Sequence, residues 1–112
     1  MACGYLSGKY RDNKLPKNSR IGLFGDFWTR YKEDNAKKAV DDYYKLAKEN
    51  GLTLTQMSLA FVNSRPFMTS NIIGATTMEQ LKENIGTADI DLSDEITEKI
   101  NLIHSNNPNP TP

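Results

Sequence analysis

The chain has few cysteines, few histidines and no net charge, three features that would otherwise indicate a particular class of protein. Its 112 residues include one cysteine and one histidine, and 14 basic and 14 acidic side chains cancel to a formal net charge of zero. The single cysteine, Cys3, cannot form an internal disulfide and fits a reducing compartment, so we expect a cytoplasmic protein. The neutral balance argues against a general nucleic-acid or membrane-surface binder. No metal site is predicted.

Long hydrophobic runs are also missing from the sequence. No segment approaches the roughly 20 apolar residues that span a bilayer, and no charged-then-apolar leader opens the chain. A length of 112 residues allows one domain with one core. Residues 1–10 contain two glycines and no complete element, so we interpret the start, around Met1–Cys3, as the tail of a strand whose front is missing.

Two helices are predicted in the middle of the chain from capping residues and apolar spacing. The first has Asp34 or Asn35 as its N-cap and ends before Gly51, which suits the position after a helix. The second begins at Thr53 and ends before Pro66, since the residue preceding a proline disfavours helix. The residues expected to be buried are Ala36, Ala39, Val40, Tyr43 and Ala47 in the first helix and Met57, Ala60 and Phe61 in the second.

A short strand and two further helices are predicted towards the end of the chain. Residues 67–73 are apolar and are bounded by proline and glycine, which favours a strand. A third helix is predicted over Met78–Ile85, and Ser93 caps a fourth, whose stripe of isoleucines recurs every three or four residues. Because a lone strand cannot form a sheet, these elements fit a sheet whose other strands lie outside this sequence.

A cation-rich loop is predicted between residues 11 and 26, where glycine, proline and asparagine interrupt regular structure. Phe27 and Trp28 follow it on a short predicted helical turn, where we expect them to anchor the loop to the core. The basic residues in and just before the loop are Lys9, Arg11, Lys14, Lys17 and Arg20. Such a cluster in a chain of zero net charge favours an anionic partner, and a solvated loop is the alternative.

The segment from Ile72 to Asn84 carries the most chemical information. It combines a short apolar stretch, Gly74, two threonines and the start of a helix. Unpaired N–H groups at a helix start suit a phosphate, and a glycine lets a ligand approach the backbone closely. The same residues also form an ordinary capping box from Thr76 to Glu79. A phosphate site and a simple helix cap are therefore both open interpretations of this segment.

Three separated motifs resemble the C-terminal third of an aldo-keto reductase, and the resemblance runs from Met1 to about His104. The motifs are Ala2-Cys3-Gly4-Tyr5-Leu6-Ser7-Gly8-Lys9-Tyr10, then Ser19-Arg20, then Gly74-Ala75-Thr76 with Gln80, Glu83 and Asn84. The sequences of these motifs are similar to those of the branch of the family that contains the bacterial Tas-like reductases and the potassium-channel β-subunits.

The resemblance implies an α/β fold class: a helix-rich C-terminal fragment of a (β/α)8 TIM barrel, with one or two short strands. Within a single segment covering 1–112, residues 1–31 would form the cofactor-loop region. Residues 32–112 would form the last helices, the eighth strand and an extra C-terminal helix.

The resemblance also implies how NADP(H) would be held. The residues implied to line the pyrophosphate and the adjoining ribose are Ala2, Cys3, Gly4, Ser7 and Lys9. Arg20 would close over the same phosphates with its planar guanidinium. Gly74 would allow close approach, Thr76 and Gln80 would reach the 2′-phosphate, and Glu83 and Asn84 would bind the adenine. Other members place an arginine where this chain has Gln80, which makes a preference for NADP(H) over NAD(H) less secure.

The implied activity is hydride transfer from the cofactor to a small aldehyde or ketone. The family's catalytic Asp, Tyr, Lys and His lie on earlier strands, and no residues here match those motifs, so no catalytic residue is assigned and the 112-residue chain alone is predicted to be inactive. The alternatives are a non-catalytic nucleotide-binding module and a remnant that forms a homo-oligomer through exposed strand edges.

Overall fold

The computed structural model describes residues 1–25 and 29–111, and the regular structure in these ranges is helical. The α-helices are α1 (Arg20–Phe24), α2 (Asp34–Glu49), α3 (Leu54–Asn63), α4 (Met78–Gly86) and α5 (Asp94–Asn106). Shorter 3₁₀ segments cover Ala2–Ser7, Arg11–Asn13, Thr29–Lys32 and Thr87–Asp89. The predicted turn with Phe27 and Trp28 lies outside the described residues.

The four predicted helices are confirmed, and their boundaries follow from the capping residues. At the start of α3, the Thr53 hydroxyl accepts a hydrogen bond from the Gln56 amide at 3.0 Å, and the Gln56 side chain accepts one from the Thr53 amide at 2.9 Å. Gly51 follows α2 with a φ of 70°, which a glycine adopts without strain. The N-cap of α2 is Glu33, so this helix begins slightly earlier than predicted.

The core lies where α2, α3 and α5 meet. Its buried members are Leu46 and Ala47 from α2, Leu54 and Met57 from α3, and Ile100 from α5. The apolar stripes predicted for these helices supply most of the contacts, since Val40, Tyr43, Phe61, Ile96 and Ile103 pack against the same cluster. Burial of apolar area, at about 25 cal/mol per Å², is the main favourable term holding the three helices together.

The strand predicted over residues 67–73 is not formed. This segment contains turns, a bend and residues without regular structure, and it has no strand partner among residues 1–25 and 29–111. Ile72 is 96% exposed and Phe67 is 78% exposed. The apolar pattern of these residues predicts a buried strand. A strand forms only when a neighbouring strand completes its backbone hydrogen bonds, so the pattern alone was not sufficient.

The strand tail predicted at Met1–Cys3 is also replaced by other structure. Ala2 and Cys3 have φ angles of 45° and 53°, which lie outside the extended region. They begin the segment Ala2–Ser7, which is kinked because the backbone angles of Cys3 and Gly4 are not helical. The helix-rich part of the predicted fold class is observed, whereas its one or two short strands are not formed in the described part of the chain.

Candidate functional site

The first group of candidate residues forms a tight backbone turn near the start of the chain. Ser7 Oγ donates a hydrogen bond to the carbonyl oxygen of Gly4 at 2.7 Å, and the Lys9 amide donates to Ser7 Oγ at 3.4 Å. The Lys9 side chain lies along Gly4, because a Cβ atom on Gly4 would stand 3.0 Å from Lys9 Cε and 3.2 Å from its Nζ. With a φ of 96°, the backbone conformation of Gly4 is one that a glycine adopts without strain.

A cluster of tyrosines, for which the sequence carries no local signal, supports this turn. The ring of Tyr5 lies 4.9 Å from that of Tyr10 and stacks at 5.0 Å on that of Tyr31. The Cys3 thiol lies 3.9 Å from the Tyr31 hydroxyl, so the residues around Ala2 and Cys3 are fixed against the cluster. Burial raises the pKa of Tyr5 and of Tyr31.

Arg20 occupies the first position of α1, a helix that replaces part of the predicted loop. Ser19 caps α1 by accepting a hydrogen bond from the Gly22 amide at 3.1 Å, and its own hydroxyl donates to the carbonyl oxygen of Pro16 at 2.6 Å. The Tyr10 hydroxyl accepts a hydrogen bond from the Ile21 amide at 3.2 Å. This bond ties the helix that carries Arg20 to the turn that carries Ser7 and Lys9.

The cation-rich loop is partly explained by structural contacts. Arg11 Nε lies 2.6 Å from Asp41 Oδ1 on α2, and the guanidinium stacks over the ring of Tyr44 at 3.6 Å. The hydrogen bond to Asp41 raises the pKa of Arg11. Lys14 lies 3.7 Å from Asp12. Arg11 therefore attaches the loop to α2, and Lys9 is the basic residue next to the turn.

The second group of candidate residues lies at the start of α4. The N-cap is Thr77, whose hydroxyl accepts a hydrogen bond from the Gln80 amide at 3.2 Å, so the predicted capping box from Thr76 to Glu79 is wrong. Thr76 instead donates its amide and its hydroxyl to Gln80 Oε1, at 2.9 and 3.1 Å. Because Oε1 serves as the acceptor, the NH₂ group of Gln80 remains available as a donor.

Gly74, Glu83 and Asn84 complete this group. Asn84 is nearly buried, at 9% exposure, and its side-chain NH₂ donates to the carbonyl oxygen of Gly74 at 3.2 Å. Glu83 accepts a hydrogen bond from the Thr53 hydroxyl at 2.6 Å and so connects α4 to the start of α3. A Cβ atom on Gly74 would meet nothing within 4 Å, and its φ is not in the left-handed region. Neither space nor conformation within the described residues requires a glycine there.

The two groups are connected through α3. This helix contacts both the segment Ala2–Ser7 and α4. The structure thus assembles Gly4, Ser7 and Lys9 in one group, and Gly74, Thr76, Gln80 and Asn84 in the other. The two groups are about 70 residues apart in the chain. Local sequence patterns therefore could not predict that both groups pack against α3.

The chemistry of these side chains fits the phosphate-bearing part of a dinucleotide. Lys9 offers an ammonium and Gln80 an NH₂ group, and both are donors suited to phosphate oxygens. Gly74 leaves room for a ligand beside the backbone. Glu83 and Asn84 are already engaged in holding α4, so in this structure their observed contacts serve the fold. The available side chains therefore suit the phosphates of a dinucleotide better than its adenine.

The comparison with known proteins identifies the family. The sequence model of the aldo/keto reductase family matches residues 1–104. The chain therefore belongs to the aldo/keto reductase family, whose fold is the (β/α)8 barrel.

The chain is similar to several curated relatives. It is 43% identical over 101 residues to "Protein tas" of Escherichia coli (strain K12), which covers 90% of this chain and 29% of that protein. It is 35% identical over 108 residues to an "Aldo-keto reductase" of Babesia bovis, with 93% of this chain and 38% of that protein covered. A "Probable voltage-gated potassium channel subunit beta" of Oryza sativa subsp. japonica is 31% identical over 115 residues, with 99% and 35% covered.

The resemblance to the branch that contains Tas and the potassium-channel β-subunits is confirmed by these matches. The chain spans about a third of the length of the relatives it matches. No helix in the described ranges is both long enough and apolar enough to cross a membrane.

Proposed function

We propose that this chain supplies the NADP(H)-binding C-terminal part of an aldo-keto reductase, an oxidoreductase that reduces small aldehydes or ketones. The observation that carries the proposal is the arrangement at the start of α4. Gly74 is open on the side where a Cβ would lie, and the Gln80 side chain is held by Thr76 with its NH₂ group still available. These are the features that close approach to a phosphate group requires.

The roles of the proposed cofactor residues follow from their chemistry. Lys9 and Arg20 supply positive charge for the pyrophosphate, and Ser7 supplies a hydroxyl. The turn formed by Ala2, Cys3 and Gly4 lies along the phosphates and the ribose. Thr76 and Gln80 hold the 2′-phosphate, and Glu83 and Asn84 border the adenine once they exchange their present contacts. When bound, the nicotinamide supplies the hydride that reduces a carbonyl carbon. The residues of this chain bind and orient the cofactor.

The proposal assigns the chain's segments within the family barrel. In the family barrel, residues 1–31 would form the cofactor-loop region, and residues 32–112 would form the last helices, the eighth strand, which is not formed in this structure, and the extra C-terminal helix. The catalytic Asp, Tyr, Lys and His of the family are not assigned to any residue here, so the chain by itself is proposed to be inactive. The free thiol of Cys3 fits a cytoplasmic location.

Titration of NADP⁺ into the ¹⁵N-labelled chain tests the proposal. We expect saturable shifts of the Thr76, Gln80 and Lys9 amides, with a dissociation constant of about 1 mM or tighter, which corresponds to about −4 kcal/mol. NAD⁺ lacks the 2′-phosphate and is expected to shift the Gln80 amide less.

Two matched tryptophan variants supply the control. Gly74→Trp should abolish the shifts by filling the space beside the backbone. Gly86→Trp, at the other end of α4, also adds its side chain where a Cβ meets nothing within 4 Å and should bind like the parent chain. Unshifted amides at millimolar NADP⁺, or equal binding by both variants, would contradict the proposal.

A second candidate function is self-association through the segment that did not form a strand. Residues 66–78 carry no charged side chain, and Phe67, Ile72 and Met78 are more than 60% exposed. The backbone amides of Ile72 and Ile73 make no hydrogen bond to another described residue. An exposed apolar segment with unpaired amides and no charge is a ready template for pairing with a second copy.

Sedimentation velocity over a range of concentrations tests this candidate. We expect a concentration-dependent homo-oligomer that Ile72→Lys shifts towards monomer, because lysine on an edge opposes pairing. Leu102→Lys, at an exposed apolar site on α5, is the control and should leave the oligomer unchanged. A chain that sediments as a monomer at every concentration argues against self-association.

A further inference from the structure

A cleft of aromatic and small apolar side chains lies between the segment Ala2–Ser7 and α2. Its lining includes Tyr5, Tyr31 and Tyr43, together with Ala36, Ala39 and Val40 of α2. The lining residues on α2 recur every three or four positions and so share one face of that helix. Ala36 and Ala39 carry only methyl groups, so another part of the chain can approach this face closely.

A proline-containing segment, residues 107–111, leads from the end of α5 to this cleft. Asn107 fixes its start, because its side-chain NH₂ donates to the carbonyl oxygen of Ile103 at 2.9 Å and its Oδ1 accepts from Lys38 Nζ at 3.4 Å. Asn109 then turns the chain with a φ of 47°, a left-handed conformation that asparagine tolerates better than most residues. Contacts with both α5 and α2 therefore direct the segment.

The two prolines of the segment lie in different surroundings. Pro108 and Asn109 are exposed, whereas Pro110 and Thr111 are partly buried and line the cleft. Pro110 is thus the proline that lies at the cleft, and Pro108 faces solvent.

The size of the cleft suits part of a peptide better than a separate small molecule. With the segment in place, the space that remains is about 130 Å³. Pockets for small organic ligands commonly have volumes of about 300–1,000 Å³, so the remaining space is too small for such a ligand. The occupant that fits is a side chain of a peptide segment.

Proline suits this surface for two physical reasons. It has no N–H group, so its burial among apolar and aromatic side chains leaves no backbone donor without a partner. Its ring fixes φ at about −65°, so a proline segment loses less conformational freedom than another peptide when it is ordered. For these reasons proline-rich segments dock on surfaces lined by aromatic rings.

The cleft and the segment also match in charge. No charged side chain of the described residues lines the cleft, and residues 106–112 contain three prolines and no charged side chain. We propose that the cleft is a binding site for uncharged, proline-containing peptide segments, and that residues 107–111 of the same chain occupy it in the free protein. A second peptide of this kind must displace them. Of the proposed NADP(H)-binding residues only Ala2 lines the cleft, and the proposal is tested without the cofactor.

Adding the acetylated and amidated peptide of residues 106–112 to the ¹⁵N-labelled full chain tests the proposal. In the parent chain the linked segment has an effective concentration in the millimolar range, so peptide at about 1 mM should compete poorly. Pro110→Ala weakens the linked segment, and in this variant we expect the peptide to shift the amides of Ala36, Ala39 and Tyr43 at least about fivefold more than in the parent. A peptide with alanine in place of the three prolines should shift them in neither protein.

Pro108→Ala is the matched control, because Pro108 is exposed and does not line the cleft, and this variant should respond to the peptide like the parent chain. Pro110 lies outside the core cluster of α2, α3 and α5, so Pro110→Ala is expected to keep the helical circular dichroism of the parent. Equal shifts in all three proteins, or none in Pro110→Ala, would overturn the proposal.

The parent chain supplies a test that needs no substitution. Nuclear Overhauser contacts are expected from the ring protons of Pro110 to the aromatic protons of the tyrosines that line the cleft, and none from those of Pro108. If Pro110 shows no such contacts, the segment does not occupy the cleft and the proposal fails.

Discussion

Replacing Met57 with alanine is expected to lower the free energy of unfolding by about 2–5 kcal/mol. Met57 is the largest fully buried side chain among the described residues, at 2% exposure, and lies in the core cluster of α2, α3 and α5. Truncation removes the thioether side chain and leaves a cavity. The three surrounding helices can relax only partly to fill it. Domains of this size are stable by about 5–15 kcal/mol, so one truncation removes a large share.

Urea unfolding, followed by far-UV circular dichroism, measures this effect. With a slope of about 1–3 kcal/mol per M urea, the midpoint for Met57→Ala should fall by roughly 1 M or more. Met78→Ala is the matched control, because Met78 is 65% exposed and its truncation opens no cavity. A midpoint for Met57→Ala within the error of that for Met78→Ala would mean that the core is not where the structure places it.

Replacing Gly22 with alanine is expected to destabilise the chain by about 1–3 kcal/mol and to displace Arg20. A Cβ atom on Gly22 would clash with the carbonyl oxygen of Pro16 and stand 3.1 Å from Ser19 Oγ. Both neighbours belong to the cap of α1, so the contact cannot be relieved without moving the start of that helix. Weaker NADP⁺ binding should accompany the loss of stability if Arg20 contacts the phosphates.

Gly25 supplies a control with the opposite expected sign. It lies at the end of α1 with a φ of −51°, and a Cβ atom there would meet no atom of the described residues within 4 Å. Gly25→Ala should therefore stabilise the chain by about 0.4–1 kcal/mol, because it reduces the freedom of the unfolded chain without a clash. Thermal unfolding of the two variants distinguishes them, since their transition temperatures should move in opposite directions. A rise for Gly22→Ala would show that α1 is not capped as observed.

The boundaries of the helices could be predicted because their causes are local. A helix cap is made by residues two or three positions apart, as with Thr53 and Gln56, and an apolar stripe repeats every three or four residues. The error at Thr76 is instructive for the same reason. Two adjacent threonines each offered a possible cap, and the structure uses Thr77 because Thr76 is bonded to Gln80.

The candidate site could be predicted only as a set of residue types. The turn at residues 2–9 and the start of α4 were recognisable from the resemblance, and each forms a compact group. The tyrosines that support the turn were not identified, because the Tyr5–Tyr31 contact joins residues 26 positions apart. The role of Arg11 was not predicted either. In the local sequence it is one cation among several, but in the structure its contact with Asp41 attaches the loop to α2.

What the sequence determined by itself is therefore the family, the four longer helices and the phosphate-suited chemistry of the candidate residues. These properties depend on residue identity and on spacings within a few turns of helix. Only the tertiary structure decided that residues 67–73 form no strand and that α3 connects the two groups of candidate residues. A strand pairing and a contact with a shared helix are both made by segments far apart in the chain, and their formation depends on which partners are present to complete them.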